Sequence, residues 1–533
     1  MEFNLSNRRI DFCVVYTNIE KYDLELVNFF LEKLYNLLSS ISTKTFRKQL
    51  KIFIQEKFPV YFVSKNYKYL NHLKEHIKSN YFDFHYIEAK SLQDAIFNIS
   101  PSIDNKTLSE IKNNSDNIKI IETYDTFLYF ESISPFLDIE HSVNLILDHF
   151  TYLAEYTYSD IAIPGFLPVI CNIELAKRIF IEEKEYFWNW SEYLLRNTQT
   201  VDLEIYYIEP DYRKYRVRFD LFNERYQKIC RNIYDFNKHI TYKEIEEIFK
   251  NHLELIRIAP TYIEIELTTK NELNPKIYPI NKEENELSLT LYKKIIKDLK
   301  EFHLNQSFTL SLAGTGEPFL YNHLKKVLEI AIDSNLFHTI YLETFFYKLN
   351  EEILDYIQNF KDIITIIIKL PTLNESLYKE LMGTNYLPQI KENLEIIKNN
   401  DLKIYVEILR IKQVEEELDS FFDYFKNTKI KPIIGKYNTF GNLLDDFSVV
   451  DLEPLEKDYC RSLMFQLYID ANGKVPICRQ DILSKYKSYD INHSSLKEIF
   501  YNLKEYYDYF EKKQFDKIIP LCNCCKDWYV FLG

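Results

Sequence analysis

The chain has 533 residues, 46% of them hydrophobic and 16% aromatic, which excludes a disordered polypeptide and supplies apolar side chains for about three domains. A formal net charge of −14 argues against a general binder of nucleic acid or of a membrane surface, because both targets are polyanionic. The first residues, MEFNLSNRRIDFCVVYT, carry no apolar run of signal-peptide length, and the longest apolar run elsewhere, IITIII at 363–368, is too short to span a bilayer, so a cytoplasmic protein is expected. In a reducing compartment, clustered cysteines are expected to be metal ligands or redox thiols rather than disulfides.

Residues 1–245 open with the strand-like DFCVVYT and continue through KIFIQ and PVYFVS, separated by helical stretches such as DLELVNFFLEKLYNLLSSI. That alternation predicts an α/β domain. TFLYFESISPFLD, a helix ending at LDHF, YTYSDIAIPGFLPVI and YRVRFDLFNERYQKICRNI complete it. This order of segments resembles the sugar-nucleotide and cytidylyl transferases, which implies a Rossmann-like, nucleotidyltransferase-like domain. Two features depart from that family. The stretch after the first strand, YTNIEKYDLE, has no glycine with which to wrap a phosphate, and the metal-binding Asp of a D-x-P turn is replaced by Ile133 of Ile133-Ser134-Pro135. Cys13, Cys171 and Cys230 are expected to be buried small hydrophobes.

Between 258 and 445 the rhythm is regular. Strand-like YIEIELT, SFTLSL, HTIYLET, DIITIIIKL, KIYVEILRI and KPIIGKY alternate with five helical patterns. Six buried, β-branched strands followed by helices predict a parallel sheet curled into a partial (β/α)6 barrel, with its chemistry at the C-terminal strand ends. The loop after the second strand is AGTGEP, with two of the chain's eight glycines, Gly314 and Gly316, beside Glu317 and Pro318. It is either a tight strand-to-helix turn or bare backbone that approaches a ligand's amino group, with Glu317 helping to neutralise it. The repeat and this loop resemble the radical S-adenosylmethionine (SAM) proteins. The resemblance implies that Gly314, Gly316, Glu317 and Pro318 contact the methionine part of SAM. It also implies a CxxxCxxC triad after the first strand, holding a [4Fe–4S] cluster. In ELTTKNELNPKIYP those positions are Asn271, Pro275 and Tyr278, and no cysteine occurs between Cys230 and Cys460. The barrel therefore reads as degenerate, with no catalytic triad for radical generation.

The segment 455–533 holds Cys460, a strand-like MFQLYIDANGKVPIC with a hairpin turn at Asn472-Gly473, Cys478, the amphipathic run SSLKEIFYNLKEYYDYF, and LCNCC at 521–525. A hairpin and a returning C-x2-C bring four thiolates together. The pattern resembles the SPASM segment that follows the barrel in many radical SAM proteins. That likeness implies that Cys460, Cys478, Cys522 and Cys525 hold one [4Fe–4S] cluster. Structural zinc is the alternative, Cys524 is the alternative fourth ligand, and Trp528 is expected to cover the turn. The three segments together resemble the spiro-SPASM proteins of spirochaetes. The expected function is an iron–sulfur protein in a binding or electron-transfer role, acting on a small molecule, a peptide or a partner protein. The alternatives are a SAM-dependent enzyme modifying a peptide or small molecule, and an interaction scaffold.

Overall fold

The computed structural model describes residues 8–43, 52–53, 57–99, 125–182, 190–305, 307–450 and 453–530. The chain divides into two compact units, Met1–Ile256 and Arg257–Gly533.

The first unit is built on an eight-stranded sheet. Its strands are β1 (Arg8–Tyr16), β2 (Ile52–Phe53), β3 (Phe58–Ser64), β4 (Phe82–Glu88), β5 (Asp125–Phe130), β6 (Tyr156–Tyr158), β7 (Val169–Asn172) and β8 (Leu203–Ile205). Their order is β4-β3-β1-β5-β7-β6-β8, with β2 paired to β1. β1, β3, β4 and β5 run parallel, as connections through the helices Leu24–Thr43, Lys68–His76 and Leu92–Ile99 require. β7 turns antiparallel to β5. Of KIFIQ, only β2 falls within the described residues. Cys13, Cys171 and Cys230 are unlinked and fully buried, as small apolar side chains are. After β1, where a phosphate loop would need free amides, the N–H groups of Asn18 and Ile19 donate to the Tyr22 hydroxyl at 2.9 and 3.3 Å. Ile133 is wholly buried.

The main sheet of the second unit has seven strands among the described residues. β9 (Tyr262–Ile265), β10 (Phe308–Leu312), β11 (Phe337–Thr344), β12 (Ile364–Lys369), β13 (Ile404–Leu409), β14 (Lys431–Gly435) and β15 (Gln466–Ile469) lie in the order β14-β13-β12-β11-β10-β9-β15, all parallel. Helices fill the crossovers, among them Leu289–Lys300, Leu324–Asp333 and Leu387–Ile397, each burying one apolar face. Several start on an Asx or Ser cap, such as Ser288, whose hydroxyl accepts from the Leu291 amide at 3.2 Å.

The cysteine-bearing segment belongs to this same unit. A hairpin across Asn472-Gly473 is not what forms. The turn is tight, with the Asp470 N–H donating to the Lys474 carbonyl at 2.9 Å. β15, however, pairs with β9 from Gln466↔Tyr262 to Ile469↔Ile265, and β16 (Lys474–Pro476) pairs antiparallel with β17 (Ser488–Asp490). The reason is burial: Gln466–Ile469 is buried throughout, and the open edge of β9 offers it a complete ladder. Among the described residues no helix is long and apolar enough to cross a membrane.

Candidate metal centre and barrel cavity

Cys460 stands at the start of a short helix, Arg461–Phe465; Cys478 follows β16; Cys522 lies in the turn of helix Leu521–Cys524, and Cys525 ends it. These four side chains line one small pocket, closed by Phe510 and the buried Trp528. All four are free thiols. Burial pushes Cys478, Cys522 and Cys525 up to about 12, and neighbouring thiols of the same set push each further in that direction. Four thiolates cannot share this space without a compensating cation, so the donor set is one that a metal centre satisfies. Cys524 faces elsewhere: its thiol points to the carbonyls of Gly441 (3.4 Å) and Leu521 (3.5 Å) and lines no part of the pocket.

Two further groups serve the pocket. The Lys457 ammonium donates to the carbonyls of Cys522, Asn523 and Cys525 at 3.3, 3.2 and 2.8 Å, fixing the turn and bringing positive charge to it. The Asp527 N–H donates to Cys525 Sγ at 3.4 Å. Among the described residues no three Cys, His, Asp or Glu side chains converge on the position of a single ion. The donors fit an iron–sulfur cluster, which such all-thiolate sets hold.

The AGTGEP loop is fixed by carboxylates. Gly314 has φ +147°, and a Cβ on it would lie 2.7 Å from the Glu266 side chain; one on Gly316 would lie 2.0 Å from the Thr268 carbonyl oxygen. Glu266 Oε1 accepts from the Thr315 amide (2.7 Å) and hydroxyl (2.6 Å), while Oε2 accepts from the Ala471 amide (3.3 Å) after β15. Glu317 is fully buried, and Pro318 starts a 3-10 turn. The Glu317 carboxylate accepts from the Thr344 hydroxyl at 2.7 Å and from the amides of Phe345 (2.8 Å) and Phe319 (3.1 Å). The group expected to neutralise a ligand's amine is thus spent on the protein's own donors. Asn271 is likewise internal: its amide donates to the Thr315 carbonyl at 3.1 Å, and Tyr347 donates to its oxygen at 3.2 Å.

Inside the sheet is a cavity of about 560 Å³ to which β9, β11, β12, β13, β14 and β15 all contribute. Its wall shows the period of two: Tyr405, Glu407 and Leu409 of one strand, and Lys403 just before it, all face it. Gly314 and Tyr278 line it as well. Charges that the sequence reading passed over are paired around it. Lys369 meets Glu343 at 2.9 Å, and Arg479, next to Cys478, meets the buried Glu264 at 2.5 Å. Ser462, Gln480 and Asp527 line both this cavity and the cysteine pocket.

Comparison with known proteins places a family match on this region. The SPASM family, an iron–sulfur cluster-binding domain, matches residues 460–526. A Treponema pallidum (strain Nichols) protein described as uncharacterized is 22% identical over 360 residues, spanning 64% of this chain and 97% of the relative. Among solved structures, Streptococcus suis SuiB bound to precursor peptide SuiA is similar at 15% identity and a TM-score of 0.41, covering 67% of this chain and 85% of that one. anSMEcpe with bound AdoMet is similar at 16% identity and a TM-score of 0.38, with 50% and 85% covered. BtrN in complex with AdoMet and 2-DOIA is similar at 15% identity and a TM-score of 0.34, with 50% and 92% covered.

Proposed function

We propose that the chain is an iron–sulfur protein of the spiro-SPASM kind. In this reading Cys460, Cys478, Cys522 and Cys525 hold one [4Fe–4S] cluster, and a barrel degenerate at its CxxxCxxC position serves binding or electron transfer rather than radical generation. The observation that carries it is the shared wall: Ser462, Gln480 and Asp527 line both the pocket of the four thiols and the barrel cavity. A cluster with four thiolate ligands supplies one-electron transfer and offers no open iron. The chain's own residues do the rest. Phe510 and Trp528 exclude water from the sulfurs, Lys457 and the Asp527 amide stabilise negative charge on them, and the cavity holds the ligand on the other side of the shared wall. The first unit, nucleotidyltransferase-like in segment order, acts as a scaffold. The setting is cytoplasmic, and the partner is a small molecule, a peptide or a protein, without nucleic acid or membrane.

A second reading, a SAM-dependent enzyme modifying a peptide or small molecule, is favoured by Gly314, which presents bare backbone to the cavity. In that reading the loop Gly314–Pro318 meets the methionine part of SAM through its backbone, since Glu317 is engaged internally. Incubation of the reconstituted, dithionite-reduced protein with SAM separates the two. The first reading predicts no 5′-deoxyadenosine above trace; sustained formation that depends on the chain refutes it.

A further inference from the structure

The cavity is roomy, and its wall is rich in charged side chains, which select among the ligands it could take.

The charges tell what that ligand carries. Of the charged groups lining the cavity or meeting its walls, three acid–base pairs are closed: Glu343 with Lys369, Glu264 with Arg479, and Asp527 with Lys436 at 2.7 Å. That leaves Glu407 on β13 and Lys403 just before it. Lys403 is exposed to solvent, four residues back along the chain and so about 13 Å away. Glu407 is only partly buried, and among the described residues no donor or cation bonds its carboxylate. The fold makes room for this group. A Cβ on Gly435, at the end of β14, would lie 2.3 Å from Glu407 Oε1, so one of only eight glycines is placed where it clears the carboxylate. Burial pushes the Glu407 pKa up, with Glu343 acting in the same direction and the more distant charges of Lys369 and Arg479 opposing it. The same cavity is lined by Tyr262, Tyr341, Phe345 and Tyr405. A carboxylate and aromatic rings in one cavity suit an organic cation.

We infer that the barrel cavity binds an organic ligand bearing a primary ammonium group, with the Glu407 carboxylate as its counterion. The volume admits a lysine-sized side chain with the amides that flank it, so the ligand class is a lysine-bearing peptide or a comparable amine. The inference names the ligand class for the cavity invoked in the proposed function and rests on that reading. Its test is separate, because calorimetry reads binding whatever the metal content of the cysteine pocket.

The probe is a blocked lysine, Nα-acetyl-L-lysine methylamide, titrated calorimetrically into the full chain beside its Nε-acetylated form, which is neutral. The expected result is saturable binding of the ammonium form, weakened about tenfold or more by Nε-acetylation and to a similar extent by Glu407→Gln, since an ionic hydrogen bond is lost in each case. Equal binding of the neutral form to the wild type, unchanged binding by the Glu407→Gln protein, or no saturable binding of the ammonium form each overturns the inference. The comparison of the two probes on the wild type stands even if the variant fails to fold.

Discussion

Glu266 ties the loop after β10 to the turn after β15 through hydrogen bonds from Thr315 and Ala471, and it does so almost wholly buried. Burial lifts its carboxyl from an ordinary 4.5 to about 7, with the Thr315 and Ala471 donors opposing the shift. A raised carboxyl pKa means that the folded chain holds a proton the unfolded chain has released. Its contribution to stability is therefore fully present below about pH 4.5 and lost as pH rises through 7. At about 1.4 kcal/mol per pH unit, the shift amounts to about 3 kcal/mol between pH 4.5 and 8. For a unit of this size that is roughly 6 to 12 °C in melting temperature. Glu266→Gln keeps the acceptor for Thr315 and cannot titrate. Calorimetric melts of wild type and variant across this range should show the wild type losing about 3 kcal/mol more than the variant as pH rises. Parallel pH profiles would refute the assignment of a buried, proton-holding Glu266.

Gly316→Ala forces a Cβ to within 2.0 Å of a main-chain oxygen, so the loop must move; a loss of about 2 to 4 kcal/mol is expected in denaturant unfolding, whereas a substitution on the exposed face, such as Lys326→Ala, should cost under about 0.5 kcal/mol. Cys525→Ser should lower the iron bound per chain and loosen the segment, while Cys524→Ser should leave iron and the visible spectrum unchanged, because its thiol faces Gly441. Lys457→Met removes a positive charge from the turn that carries Cys522 and Cys525, and should lower the reduction potential by on the order of 50 mV in an EPR-monitored titration.

The alternation of strands and helices from Tyr262 to Gly435 was legible because buried parallel strands are written as short β-branched runs. The cysteine spacing announced a soft-ligand site, since sulfur is scarce elsewhere in the second unit. The pairing of β15 was not legible. DANGK has the signature of a two-strand hairpin, and only the free edge of β9, hundreds of residues earlier, diverts Gln466–Ile469 into the large sheet. The glycines and acid of the loop at Gly314 admit both a tight turn and a ligand contact; the glycines clear Glu266 and Thr268, and Glu317 faces inward, which the sequence does not show. The cavity had left a signal that went unread. Glu264, Glu343, Lys369 and Glu407 each interrupt an otherwise apolar strand run, and a charge in a doubly covered strand must have a partner or a ligand.

The account turns on sulfur being gathered at the end of the chain and missing from the mouth of the barrel. Its most direct measurement is iron and acid-labile sulfide per chain after anaerobic reconstitution, for the wild type and for Cys522→Ser/Cys525→Ser. About four irons and four sulfides in the wild type, lost in the variant, are predicted. About eight irons, or stoichiometric zinc with no sulfide, would contradict it.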